Sequence, residues 1–213
     1  VNDCSKIKSA FTLAEVLITL LIIGVVASMV VPNIIMETQK AELKESFRKT
    51  FSDIDQATKL IAVDNGGTIA GTFTGRDSLK NLYAEKLKTI KSCNSGYSDG
   101  NCWHPAVEGS IKNYNGSNFI YWANDWSSII LVNGSFVYFD QAIPACNGQY
   151  SGLLSPVSCG LIWIDVNGAK PPNTFHKDIF EIHLIGTRAV PRGSPLYDNG
   201  YRNSYYALAG IDY

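Results

Sequence analysis

The sequence predicts an α+β fold in which a long N-terminal helix packs on a small antiparallel β-sheet, with an additional short helix. Three observations predict it. An apolar run from Phe11 to Val31 passes without a stop signal into a stretch of helical periodicity that ends only at Asn65-Gly66-Gly67. Beyond Asn118 the apolar pattern shortens to strand-length segments. Two of these flank Asn133-Gly134, a dipeptide that tolerates the left-handed backbone of a tight hairpin turn.

The chain has 213 residues, of which 46% are hydrophobic and 17% charged, with 18 Lys plus Arg against 19 Asp plus Glu. That composition supports a packed core and excludes a disordered chain. The near-neutral balance argues against nucleic-acid binding carried by bulk charge, and no nucleic-acid partner is evident. The apolar residues are unevenly spread: Phe11–Val31 averages about +2.5 in hydropathy and the remainder roughly −0.3. This run holds one charge, Glu15, in 21 positions. As a helix it is about 30 Å long, the thickness of a bilayer core.

A secretory signal peptide would be shorter and end in a small-x-small cleavage site; Val26-Ala27-Ser28 is a poor match and the run continues past it. An ordinary single-pass anchor is a further alternative, in which Lys6 and Lys8 would keep the N-terminus cytoplasmic and send the rest outward. Glu15 is what an ordinary anchor leaves unexplained. A carboxylate in hydrocarbon is costly, and such groups are usually paired and functional. A helix N-terminus also favours a nearby carboxylate, which is the simpler account of the same residue. Pro32 removes one backbone donor and crowds the carbonyl of Ser28, so that with Gly24 it marks a weak point where the helix bends.

The stretch Lys8-Ser9-Ala10-Phe11-Thr12-Leu13-Ala14-Glu15 resembles the processing site of type IV pilins and pseudopilins. Gly24 and Pro32, thirteen and twenty-one residues after Phe11, stand in the same register as in that family. The resemblance implies that a membrane peptidase cuts between Ala10 and Phe11 and methylates the new amine of Phe11; Ala10 stands where the family usually has Gly. It implies a pilin-like fold and a structural subunit of a type IV pilus or type II secretion pseudopilus-like filament, not an enzyme. The implied partners are other pilin or pseudopilin subunits, prepilin peptidase, an inner-membrane assembly platform, and membrane lipid before assembly. The implied location is the bacterial inner membrane, with the head outside the cytoplasm, followed by a periplasmic or extracellular filament. Cleavage would leave a positive amine on Phe11 at the membrane edge. A neighbouring subunit's Glu15 would neutralise it, so that each charge is paired only by assembly. The alternative is a membrane-anchored extracellular binding module that does not polymerise.

Beyond Pro32 the pattern becomes amphipathic. Ile35, Leu43, Phe47, Phe51, Ile54, Ala57 and Ile61 recur at spacings of mainly three and four, and Lys40, Glu42, Lys44, Glu45, Arg48, Lys49, Asp53 and Asp55 take the other face. A helix from Phe11 to Asp64 would span about 80 Å, so its first half must bury in lipid or in neighbouring copies and its second half on its own head. The expected organisation is a leader over 1–10, a transmembrane and polymerisation half-helix over 11–35, an amphipathic half over 36–64 and an exported globular head over 65–213.

After a Gly- and Thr-rich connection, Ser78 to Ile90 reads as a second helix with Leu79, Leu82, Tyr83, Leu87 and Ile90 inward. Phe119 to Trp122, Ser128 to Val132, Ser135 to Asp140, Leu161 to Asp165 and Ile179 to Leu184 read as strands, which gives a sheet of four or five. Cys4 lies in the expected leader, which leaves Cys93, Cys102, Cys146 and Cys159 in the head. An even number in an exported domain reads as two disulfides, with three connectivities open. Nearest-neighbour pairing, Cys93–Cys102 and Cys146–Cys159, closes loops of 8 and 12 intervening residues.

The chemistry of the head is sparse. Asp165-Val166-Asn167-Gly168 opens a loop that ends at Asp178, and alternating oxygen ligands with a turning Gly and a returning acid suit Ca²⁺. The loop is similar in placement to the calcium loop of major pseudopilins, without matching it residue by residue. The competing reading is an Asx-rich turn after a buried strand. His104, His176 and His183 lack the spacing of a zinc protease, and no nucleophile elbow or phosphate-binding loop is present. The four tryptophans are read as packing groups more readily than as an adhesive surface. Asn115-Gly116-Ser117 and Asn133-Gly134-Ser135 match a glycosylation pattern but read better as turns.

Overall fold

The structure is a computed structural model that describes residues 12–119, 126–148 and 158–192. The strand expected from Phe119 to Trp122 lies, after its first residue, outside the described residues. The chain divides into two compact units, Val1–Ala41 and Glu42–Tyr213. One helix, α1 (Leu13–Asp64), belongs to both.

In the first unit, α1 is helical through Gly24 and Pro32, and its large apolar side chains from Leu13 to Met36 are exposed. Ile35, placed by its spacing on the head-facing stripe, is one of these exposed residues. The helix is long and apolar enough to cross a membrane by length and composition.

In the second unit the periodicity does what it predicts. Phe47, Ile54, Ala57 and Ile61 are buried and Leu43 and Phe51 partly so. The charged face is largely solvated, with Arg48 bound to Glu45 at 3.2 Å and Lys59 to Asp55 at 2.6 Å. Asp55 does more than face water, because its Oδ1 accepts the Ala189 N–H at 3.0 Å.

Helix α2 spans Arg76–Lys86, followed by strand β1 (Thr89–Cys93), β2 (Ser127–Leu131), β3 (Phe136–Ala142), β4 (Ser158–Asp165), β5 (Ile179–Ile185) and β6 (Arg188–Pro191). The six strands form one antiparallel sheet in the order β1-β2-β3-β4-β5-β6, a meander with one strand more than the largest sheet expected. The second helix is also shorter than its pattern suggests. It stops at Lys86 because Leu87 turns extended while its N–H still reaches the Tyr83 carbonyl at 2.9 Å. Ile90, expected on the inner face of that helix, is instead exposed on edge strand β1.

The sheet is covered on both faces. On one, α1 and α2 pack against Val137, Phe139, Ile162, Phe180 and Ile182, with Phe47 stacked on Phe180 at 4.1 Å and Tyr83 against Phe139 at 5.6 Å. The Thr58 and Tyr83 hydroxyls are 2.7 Å apart, which satisfies both in the core. Lys80, 2% exposed, donates to Ser92 Oγ and Asn94 Oδ1 and ties α2 to β1. On the other face, Trp103 and Ile111 from the chain between β1 and β2 pack on Tyr138, Leu161 and Trp163. Trp103 and Trp163 are therefore core residues. Double coverage explains why every residue of β4 and β5 is buried.

The hairpin forms at Asn133-Gly134. Gly134 has φ of 86°, and Asn133 Oδ1 accepts the Ser135 N–H at 3.0 Å. Its tip is fastened to the helix, since Asn133 Nδ2 donates to Thr50 Oγ1 and the hydroxyls of Ser46 and Ser135 both donate to the Val166 carbonyl. Asn115 likewise caps a turn, accepting from the N–H and hydroxyl of Ser117.

Candidate functional site

Ala10 and Phe11 lie outside the described residues, so the expected cleavage point is approached from Thr12. Thr12 N–H and its hydroxyl both donate to Glu15 Oε2, at 2.8 and 2.9 Å, and the Glu15 N–H reaches Thr12 Oγ1 at 3.3 Å. This is a reciprocal capping box, which satisfies two donors that a helix start leaves without partners. The pattern Thr-x-x-Glu was visible in the sequence, and Thr12 is the capping residue that reading Glu15 alone overlooked. The lone carboxylate of the apolar run is thus held in the first turn, three residues after the cap Thr12 and four after the expected new terminus at Phe11.

Further along, the polar side chains of the run turn back onto their own helix. Thr19 Oγ1 donates to the Val16 carbonyl, Ser28 Oγ to Val25, and Asn33 Nδ2 to Met29. Such internal bonds let hydroxyls and amides sit in an apolar medium without protein partners. At Gly24 a Cβ would meet nothing within 4 Å. Its smallness therefore relieves no contact within one chain.

In the head, Cys93 is bonded to Cys102 and Cys146 to Cys159. The first bridge anchors the start of the layer that carries Trp103 and His104. His104 Nε2 lies 2.7 Å from Asp165 Oδ2, with both residues buried. Asp165 Oδ1 accepts the Asn167 N–H at 3.1 Å, and Asp178 accepts the N–H groups of Asn173 and Thr174, each at 2.7 Å. Burial pushes the Asp165 carboxyl up to about 6, against the pull of the His104 bond, and burial also raises Asp178.

These contacts bear on the expected calcium ligands Asp165, Asn167 and Asp178. Calcium takes six to eight oxygen ligands. Here the two carboxylates spend their oxygens on backbone N–H groups and one imidazole, so the donor set as folded does not fit that ion. His104, which the sequence left without a partner, is the residue that occupies the place. Gly168 serves the loop sterically: its φ is 65°, and a Cβ there would lie 2.6 Å from the Gly134 carbonyl oxygen.

A second buried polar group lies on strands β3 and β5. Arg192 Nη1 pairs with Glu181 Oε1, and Arg76 Nε donates to the Asp140 carbonyl at 2.6 Å. Burial raises the Asp140 carboxyl to about 6, with Arg76 opposing it, and lowers His176 and His183 to about 4. Among the described residues no group of three or more His, Cys, Asp or Glu is arranged to hold a metal ion.

The N-terminal geometry, an apolar helix whose one acid sits in its first turn, is the distinctive arrangement of the molecule. Residues 5–31 match the prokaryotic N-terminal methylation motif. That motif is the signal of type IV pilins and pseudopilins, and its span includes Ala10, Phe11, Glu15 and Gly24. No curated protein and no solved structure matches the chain. The methylation motif thus covers the anchor and leaves the head to be read from its own residues.

Proposed function

We propose that the chain is the precursor of a filament subunit of the type IV pilin or pseudopilin kind. The reading rests on one combination: a methylation motif over residues 5–31 and a helix whose large apolar side chains from Leu13 to Met36 are exposed. Prepilin peptidase would cut after Ala10 and methylate Phe11. The segment 11–35 would hold the subunit in the inner membrane and then pack among copies of itself as the platform assembles the filament, with the head outside the cytoplasm. Gly24 and Pro32 would be where the helix yields during that packing.

Glu15 carries the mechanism. Within one chain its carboxylate is held by Thr12, which keeps it tolerable in the membrane. On assembly it would pair with the Phe11 amine of a neighbour, which relieves the cost of leaving either charge unpaired in an apolar medium. The test is Glu15→Ala in cells that process the protein. Membrane insertion should be unchanged and filament yield should fall by roughly 100-fold, the cost of one unpaired amine in hydrocarbon at about 3 kcal/mol. Filament formation at wild-type level would overturn the pairing.

A further inference from the structure

Lys80 carries a buried amine that the filament reading does not use. It sits on α2 at 2% exposure, beside the core residues Leu79 and Tyr83. Lys59 of α1 and Lys86 of α2 each meet a carboxylate at 2.6 Å. Among the described residues Lys80 Nζ hydrogen-bonds two neutral groups instead, Ser92 Oγ at 2.8 Å and Asn94 Oδ1 at 2.6 Å. A buried ammonium held by neutral oxygens is costly, and the side chain escapes that cost by giving up its proton. Burial accordingly pulls the Lys80 amine below the ordinary lysine value, with the charge of Asp77 opposing it. A lysine amine freed of its proton is a nucleophile.

The amide it touches is a slow electrophile, so position has to make the reaction. A carbonyl bond is about 1.23 Å, so an amine 2.6 Å from Asn94 Oδ1 stands at most about 3.8 Å from Asn94 Cγ. Reacting atoms poised to combine lie roughly 3–3.5 Å apart, and fixed proximity of this kind replaces a very high concentration of free amine. Both ends are held. Lys80 is fixed by the packing of α2. Asn94 follows Cys93, which is bonded to Cys102, and precedes Ser95, whose N–H and hydroxyl donate to Asp77 Oδ1 at 2.8 and 3.1 Å. Asp77 is thus a positioning residue for the amide, one turn ahead of Lys80 on the same helix. Asn94 itself is exposed, which gives a small leaving group a way out to solvent.

We propose that Lys80 and Asn94 join through an amide bond between Nζ and Cγ, which links α2 covalently to the end of β1. The neutral amine adds to Cγ and the bond from Cγ to Nδ2 breaks. Nδ2 leaves as ammonia after taking the proton that Nζ sheds, and Ser92 Oγ, in contact with Nζ, relays that proton. One carbon–nitrogen bond forms as another breaks, so neither an oxidant nor a reductant is required. The bond closes a loop of 13 intervening residues next to the Cys93–Cys102 bridge, and unlike that bridge it survives a reducing agent. It concerns the head alone and stands independently of the filament reading.

The test is peptide mapping of the full chain recovered from membranes, reduced, digested with trypsin and sequenced by mass spectrometry. The expected product is a branched peptide that joins Asp77–Lys86, uncut after Lys80, to Ser92–Lys112. Its mass should be about 17 Da below that of the two peptides together, because ammonia has left. Lys80→Arg keeps the charge and the donors but forms no such bond, and its Ser92–Lys112 peptide should be recovered alone at full mass. Ser92→Ala should slow the appearance of the branched peptide after synthesis roughly tenfold or more. A wild-type chain cut after Lys80, with both peptides at full mass, overturns the proposal. So does a loss of ammonia confined to an unbranched Ser92–Lys112 peptide, the mark of an asparagine closing on its own backbone. A branched peptide that appears at the wild-type rate in Ser92→Ala overturns the relay.

Discussion

Replacing Asp165 with Asn separates charge from shape at a fully buried point of the head. The carboxylate holds the Asn167 N–H with one oxygen and His104 with the other. An amide of the same shape keeps both contacts, its oxygen accepting from Asn167 and its N–H donating to the imidazole. Burial sets the folded carboxyl at about 6, against 3.8 for an ordinary Asp. Between those values the folded chain holds a proton that the unfolded chain has released, so this residue's contribution to stability falls as pH rises from about 4 to about 6 and stays low above. The gap corresponds to about 3 kcal/mol. Asp165→Asn should therefore match the wild type near pH 4 and exceed it at pH 7 by up to about 3 kcal/mol, or roughly 6–12 °C in Tm for a chain of this size. Asp140, His176 and His183 are present in both proteins, whereas His104 and Asp178 act directly on Asp165, so the measured difference is that of the Asp165 site with these two neighbours. The assay is thermal unfolding of the full chain in detergent, followed by circular dichroism at pH 4, 5, 6 and 7. Parallel curves for the two proteins, or a variant less stable at pH 7, would refute the reasoning.

Two further predictions come from the same face-by-face description. Phe47→Ala removes the ring stacked on Phe180 and should cost about 3–5 kcal/mol, with Phe47→Leu costing roughly 1–2, read from urea midpoints; an unchanged midpoint for the alanine variant would mean that α1 does not dock on the sheet as described. Chelation should leave Tm unchanged, because Asp165 and Asp178 are closed by their own hydrogen bonds, and a Tm that rises with added Ca²⁺ would contradict the reading of that loop.

Much of this fold was legible because burial has a period. The stripe Phe47, Ile54, Ala57, Ile61 could serve only a helix with one covered side, and Asn133-Gly134 could serve only a tight turn. The misreadings occur where local pattern and tertiary role diverge. Leu79 through Ile90 continues an apolar helical spacing, but α2 ends at Lys86 and Ile90 faces water on an edge strand, where one side of the chain has no neighbour to bury it. Strand β6 is four residues long, too short to carry a period, and is held by pairing with β5 and by the Asp55 bond to Ala189. The apolar run Leu161-Ile162-Trp163-Ile164 was read as a strand, but that both its faces are covered shows only in the structure, because the second covering layer, rich in Gly, Asn and Ser, has no repeating pattern to read.

At the candidate sites the same division holds. Glu15 stood out because one carboxylate in an apolar run is expensive, whereas Thr12 went unnoticed because a hydroxyl there costs little. Asp165 and Asp178 looked like cation ligands because spacing reveals which oxygens are near one another and not which donors reach them. His104 is 61 residues from Asp165, a separation that no local motif bridges.

Processing as a prepilin would be read from the mass of the mature N-terminus. The protein is recovered from membranes of cells that carry a prepilin peptidase and its N-terminal peptide is sequenced by mass spectrometry. A chain that begins with N-methylated Phe11 is the predicted result. A chain that retains the leader with Cys4, or begins with unmodified residues elsewhere in the apolar run, would contradict it.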